Sequence, residues 1–333
     1  MVIRKQIQYW LVLGSLGCMG MSRLYAQQLP QYSQYMMNRF LINPAVAGSE
    51  GYTAFNLTAR EQWIGLENSP RTYAISAQTR VLKNSFIARG ASVRKKGTGA
   101  SRSGKVGLGG YVFTDQSGLV NRTGMKLTYS YHIAFQRGQL SFGLSGCMYQ
   151  FRIDKEAIRL YNPDDDLVNN YNNRMFIPDA DFGIYYSDPK LFGGLSVSQL
   201  LSASLKFGQA SYENFRLLRH YYLMGGYNFD ISDYVIMEPS ILLKISEMWT
   251  PQMDLTAKCY IYEDYWAGLS YRTGAEAGAI IIMGGLRVDK FYFGYSFDYT
   301  LSSIMRHSFG SHEFMLAVKL GDSARRYKWL IRY

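Results

Sequence analysis

The chain has 333 residues and a net charge of +11, with 28 tyrosines, 32 glycines and a slightly negative mean hydropathy. Its three cysteines are too few for a disulfide scaffold, and no apolar run after residue 26 approaches the roughly 20 residues of a transmembrane helix. A soluble protein and a membrane β-barrel, with its polar lumen face and interfacial aromatics, both fit that profile, so periodicity has to separate them.

Residues 1–26 read as an export signal. Arg4 and Lys5 form a basic start, residues 9–21 are apolar or small, and Leu24-Tyr25-Ala26 offers a cleavage site before Gln27. Cys18 raises lipoprotein processing, but Ser15 stands where a lipobox carries leucine, so ordinary cleavage is expected. Removing Arg4, Lys5 and Arg23 lowers the net charge from +11 to +8. Export argues against nucleic acid and leaves membrane headgroups or acidic proteins as partners for a basic chain.

Residues 27–50 do not alternate. The sequence predicts a short helix over residues 31–41, ended at Asn43-Pro44 because proline disfavours helical geometry in the residue before it. As an element ahead of the first strand, this segment is expected in a barrel lumen or at its periplasmic mouth.

From residue 51 to 320 the chain alternates apolar with polar or small residues, in segments of about ten. Met253, Leu255, Ala257, Cys259 and Ile261 oppose Gln252, Asp254, Thr256, Lys258 and Tyr260. Phe291, Phe293, Tyr295, Phe297 and Tyr299 oppose Tyr292, Gly294, Ser296, Asp298 and Thr300, and Phe314, Leu316, Val318 and Leu320 oppose Glu313, Met315, Ala317 and Lys319. Side chains of a strand alternate between faces, so each segment has one apolar face. The pattern predicts about 14 strands, starting at residues 52, 71, 105, 122, 139, 179, 190, 218, 234, 251, 264, 278, 290 and 311. The expected fold is all-β: a transmembrane antiparallel barrel with a short helical or plug-like N-terminal segment.

Loop lengths support the barrel. With a periplasmic N-terminus, the periplasmic turns are short, at Arg137-Gly138, Asp188-Pro189, Ile231-Ser232, Glu263-Asp264 and Asp289-Lys290. The long connections, near 154–177, 200–215 and 301–310, all fall on the outer side, as in outer-membrane barrels. One connection departs from the rule: residues 82–104 are long and carry Lys83, Arg89, Arg94, Lys95, Lys96 and Arg102 with no acid. That segment reads either as a solvated insertion or as a basic contact for an acidic periplasmic partner or anionic headgroups. Residues 321–333 form a basic, aromatic tail.

Chemistry-bearing patterns are sparse. His307 and His312, with Glu313 adjacent, lack the further ligands a metal site needs, and Asp164, Asp165 and Asp166 lack the spacing of a calcium loop. Gly107, Gly109 and Gly110 sit in a strand pattern with no helix and no Lys-Ser/Thr pair following, which excludes a phosphate loop. No nucleophile–base pair emerges, so neither catalysis nor a cofactor is expected.

Five blocks carry a resemblance. They are Gln31-Tyr32-Ser33-Gln34-Tyr35-Met36-Met37-Asn38 with Asn43-Pro44-Ala45-Val46-Ala47-Gly48; Ala59-Arg60-Glu61-Gln62-Trp63-Ile64-Gly65 with Pro70-Arg71-Thr72; Arg219-His220-Tyr221-Tyr222 with Gly225-Gly226-Tyr227; Gly294-Tyr295-Ser296-Phe297-Asp298; and Gly310-Ser311-His312-Glu313-Phe314. In this order, over essentially the whole mature chain, they resemble the PorP/SprF family. The resemblance implies a non-catalytic outer-membrane component of type IX protein secretion, serving adhesin export in gliding relatives. It implies as partners the periplasmic ring lipoprotein and its ring partner, or secreted cargo proteins. Candidate contacts are Arg94, Lys95 and Lys96 below the membrane and Asp164, Asp165 and Asp166 above it. The rival reading is a fatty-acid-porin-type transporter of hydrophobic compounds, against which stand Asp254, Lys258, Asp298 and Lys319 on the inward stripes.

Overall fold

A computed structural model describes residues 29–81, 105–135, 138–153, 174–202, 204–205, 215–262, 264–274 and 278–320. The strands are β1 (Thr53–Glu61), β2 (Arg71–Val81), β3 (Val106–Ser117), β4 (Val120–Ala134), β5 (Gln139–Ile153), β6 (Arg174–Ser187) and β7 (Leu191–Ser198). There follow β8 (Ser204–Leu205), β9 (Phe215–Arg216), β10 (His220–Tyr227), β11 (Phe229–Ser232), β12 (Val235–Ser246), β13 (Pro251–Ile261), β14 (Tyr265–Gly274), β15 (Ala279–Val288), β16 (Phe291–Thr300) and β17 (Ser311–Leu320). Among the described residues, 14 of them pair in an antiparallel ring: β1 to β7, then β10, then β12 to β17, with β17 returning to β1. The β8–β9 pair lies apart from the ring.

β11 extends the line of β10 past a break and pairs with β12 from Phe229↔Met237 to Ser232↔Val235. The break lies opposite Glu238 and Pro239, which fall between the β10 and β11 ladders of β12. A proline has no N–H to give to a ladder, which accounts for the interruption. The sequence expectation of a turn at Ile231-Ser232 is thereby corrected: both residues are in β11, and the turn follows at Asp233-Tyr234.

Burial assigns the two faces. Phe55, Leu57, Ile75, Leu127, Leu195, Leu269, Ile282, Phe293 and Phe314 are exposed, whereas Asn56, Thr58, Arg60, Ser76, Thr128, Thr256 and Asp298 are buried. In a closed ring the exposed apolar stripe faces outward, and with strands of about ten residues at ~3.3 Å per residue it forms a lipid-facing band. Asp254, Lys258 and Asp298 all lie on the buried face, and Lys319 stacks over Tyr52 and Tyr292. No helix among the described residues is long and apolar enough to cross a membrane.

Strand six starts at Arg174 rather than residue 179, which shortens the outer connection expected over 154–177. Residues 31–41 do not form one helix. They run through turns into two 3-10 turns, Arg39–Leu41 and Pro44–Val46. The cause is local competition: the backbone N–H groups of Ser33 and Gln34 bond to a wall carboxylate, and the Asn43 side chain takes the N–H of Ala45.

Candidate functional site

The feature that defines this barrel is what fills it. Residues 29–51 pass down the lumen from the end bearing the long connections to the end bearing the short turns, where β1 begins. Partner positions give that direction. Ser33 is held by residues at the long-loop ends of β1, β16 and β17, and Ser49 by residues at the short-turn ends of β2 and β5.

At the long-loop end, Glu313 accepts from Ser33 N at 2.7 Å and Gln34 N at 2.9 Å. Ser33 Oγ donates to Asp298 at 2.6 Å and accepts from Arg60 at 2.7 Å. Arg60 also pairs with Asp298 at 2.8 Å and reaches Glu313 at 3.4 Å. Arg272 binds Asp254 through two nitrogens, at 3.0 and 2.9 Å, and reaches Asp298 at 3.4 Å. Two guanidinium groups thus face three carboxylates, and the third negative charge is met by two backbone N–H groups of the segment. Burying charge is tolerable only when it is paired in this way. The segment completes the wall's electrostatics.

Half-way down, Arg39 and Lys258 share Glu238 at 2.8 and 3.0 Å, and the Arg39 guanidinium lies 3.6 Å from the centre of the Phe192 ring. The Tyr32 and Tyr111 hydroxyls are bonded, and Asn38 donates to Ser76 at 3.0 Å. At the short-turn end the Ala47 carbonyl accepts from Ser130 and lies 3.0 Å from His132 Nε2, while Gly48 N donates to Gln78.

Inward glycines make room for this path. A Cβ at Gly109 would lie 2.5 Å from the Phe40 ring; at Gly107 it would overlap Ala47, at Gly143 Pro44 and Ala45, and at Gly183 Asn43. Gly110 points the other way, against Leu127. Gly48 adopts φ +68°, a left-handed conformation that favours glycine, and the chain turns toward β1 just beyond it. A cleft of about 50 Å³ beside residues 29–32 and one of about 40 Å³ between Gln31, Trp63 and Arg272 each have room for a few waters.

The structure brings several motif residues together. Tyr32, Ser33, Gln34, Tyr35, Asn43, Pro44, Ala45 and Gly48 all lie in the lumen segment and are buried or nearly so. The Gln62–Gly65 stretch meets Gly310–Glu313 at the long-loop end: Ile64 N donates to Gly310 O, Phe309 N to Ile64 O, and Trp63 N to Ser311 Oγ. Gly65, at φ +103°, lies against the Phe309 ring. His312 faces outward, its ring nitrogens 2.8 Å from Tyr295 Oη and 3.2 Å from Phe309 O, and His307 is exposed. Arg94, Lys95, Lys96, Asp164, Asp165 and Asp166 lie outside the described residues, as do residues 1–28 and 321–333. The sequence gives no link between Arg39 of the segment and Glu238, or between Arg60 and Arg272 and the residues around Ser33. The signal in the sequence is charged residues of both signs on the inward stripes, which must be paired where the lumen is narrow or filled.

A family model described as "Type IX secretion system membrane protein PorP/SprF" matches residues 24–318. The chain belongs to the PorP/SprF family. It is accordingly a membrane barrel of a type IX secretion system. No curated protein matches the chain. Among solved structures, the toluene transporter TbuX of Ralstonia pickettii is 9% identical, with a TM-score of 0.47 over 84% of this chain and 92% of that one. The CymD monoaromatic hydrocarbon channel is 12% identical, with a TM-score of 0.44 over 88% and 92%. The KdgM porin is 11% identical, with a TM-score of 0.34 over 80% and 98%. Likeness at this level carries no information about what the PorP/SprF barrel transports or binds.

Proposed function

We propose that this PorP/SprF protein is a sealed outer-membrane platform that binds a type IX secretion partner and conducts no solute. The observation behind this reading is the lumen segment, tied by buried hydrogen bonds and ion pairs to β1, β2, β4, β12 and β17. A pore needs a continuous aqueous path, and a segment bonded at the top, middle and bottom of the lumen leaves little room for one. Function then belongs to the two ends of the barrel. The basic connection with Arg94, Lys95 and Lys96 would meet the periplasmic ring lipoprotein and its ring partner. The outer connection with Asp164, Asp165 and Asp166 would meet secreted cargo.

The test has two arms on the full-length protein. In planar bilayers the barrel should show no steady conductance. In a mild-detergent pull-down from native membranes it should bring down ring proteins or cargo, and changing Arg94, Lys95 and Lys96 to Glu should remove the periplasmic partner. Steady conductance, or recovery of the barrel alone with a hydrophobic small molecule, would sink the platform reading and favour transport.

A further inference from the structure

The ring is not equally strong around its circumference. β5 and β6 pair along nearly their full length, from Gln139↔Ser187 to Arg152↔Arg174. The β6–β7 ladder, from Phe182↔Val197 to Ser187↔Phe192, is the shortest in the ring among the described residues, and beyond it Leu200 N donates to Ala180 O while Gln199 N and Leu201 N donate to the Asp181 and Asp179 carboxylates. β7 and β10 form a glycine-rich antiparallel pair in which Gly193 opposes Gly225, so cross-strand side-chain contacts are missing where they would add stability. On its far side β10 joins β12 from His220↔Ser246 to Gly226↔Ser240, ending just short of Pro239. The panel formed by β7 and β10 therefore has its shortest ladder on the β6 flank, whereas β10 pairs with β12 along nearly its full length.

The lumen segment crosses the weaker flank. Asn43 Nδ2 donates to Ile184 O on β6 at 3.0 Å and to Leu195 O on β7 at 3.2 Å, and these two residues are direct register partners. Its Oδ1 accepts from Ala45 N at 2.9 Å, which fixes the amide's orientation. One residue further along β7, Ser196 Oγ donates to Ile42 O at 2.9 Å. Gly183 and Gly194, on the inner face beside this pair, leave the space the amide occupies; a Cβ at Gly194 would lie 2.8 Å from Asn43 Nδ2. A side chain whose one end is locked in the lumen segment and whose other end spans two strands is placed to hold those strands together.

We propose that the β6–β7 seam is a lateral opening of the barrel wall, and that Asn43 is the clasp through which the lumen segment keeps it shut. A shift of the segment around residue 43 releases both carbonyls at once and leaves the seam to its six-pair ladder and the Ala180–Leu200 bond, the part of the wall from which opening would start. The link is reciprocal, because parting the seam removes two of the segment's anchors. This device stands apart from the identity of any secretion partner, since it is read on the purified barrel alone.

Hydrogen exchange of the full-length protein in nanodiscs, resolved by peptide, tests it. In the native protein, amides of the seam, residues 182–187 and 192–197, should exchange faster than those shared by β4 and β5. Asn43→Asp keeps the acceptor for Ala45 N but removes the donor, and should speed seam exchange roughly tenfold while leaving β4–β5 unchanged. A disulfide between Ile184→Cys and Leu195→Cys, outward-facing register partners, should restore protection in that variant. If Asn43→Asp does not fold, Ser196→Ala removes the neighbouring tie and should act in the same direction, less strongly. Equal protection around the native ring, or a loss in the variants spread evenly over all strands, overturns the proposal.

Discussion

Glu313→Gln is the sharpest probe of the lumen segment. The carboxylate is 1% exposed, and its two oxygens take the N–H groups of Ser33 and Gln34 separately, at 2.7 and 2.9 Å. Glutamine has the same shape but offers one acceptor and one donor group, so one N–H must face an NH₂ in a buried site. An unsatisfied buried donor costs about 1–3 kcal/mol. The surviving bond also loses its charge assistance, worth about 1 kcal/mol. Asp298 still pairs with Arg60, which limits the damage on the wall side. The sum, about 3 kcal/mol, corresponds to roughly a hundredfold rise in the undocked population at 1.36 kcal/mol per factor of ten. Hydrogen exchange of the peptide spanning residues 29–41 reads that population directly. Its protection should fall about a hundredfold while β4–β5 amides stay within a few-fold of native. Unchanged protection at Ser33 and Gln34 would refute the clamp, and an equal fall in every strand would show that the segment has no docking equilibrium of its own.

Three further predictions follow from the same geometry. Gly143→Val puts side-chain atoms where Pro44 and Ala45 lie and should abolish the heat-modifiable, folded band on gels, whereas Gly146→Ala, facing open space on the same strand, should leave it intact. Arg272→Ala leaves Asp254 buried without its bidentate partner and should cost about 3–5 kcal/mol in urea titrations of vesicle-inserted protein, with the double variant Arg272→Met, Asp254→Leu recovering most of it. Leu269→Arg, on the lipid face of β14 near mid-strand, should cost about 2–4 kcal/mol in the same titration, while the same change at the exposed loop residue Trp249 should cost little.

The barrel was legible because its rule is local. A period of two can be read from neighbouring residues, and the β13, β16 and β17 stripes place Asp254, Asp298 and Glu313 on the same face that the structure buries. The reading failed where both faces turn apolar. At the start of β6, Met175 and Ile177 face inward toward Phe151 and Tyr149 while Phe176 faces lipid, so no alternation marks residues 174–178 as strand. It also misplaced the β11 turn, since a strand broken opposite Pro239 looks like a strand ended. The lumen segment was less legible still. Its polar residues have no period, and the residues that explain them are remote in sequence: Ser33 and Glu313 are 280 positions apart. Only closing the ring brings them within bonding distance.

That closure gives the segment a structural logic of its own. Arg60 and Glu313 are register partners across the junction of the first and last strands, and both hold Ser33. Zipping β17 onto β1 and clamping the segment are therefore one event at this point of the wall: neither carboxylate nor guanidinium can be buried until the other strand and the segment arrive. A hinged lid would be attached to one side of a pore and free on the other. Here the segment is bonded most strongly where the chain's two ends meet, and at the β6–β7 side, far around the ring, it meets the shortest described ladder through the Asn43 amide and the Ser196 hydroxyl on Ile42 O. An arrangement that is rigid at the closing junction and lightly stitched at a distant seam points to a barrel whose changes of shape occur in its wall, with the lumen kept filled.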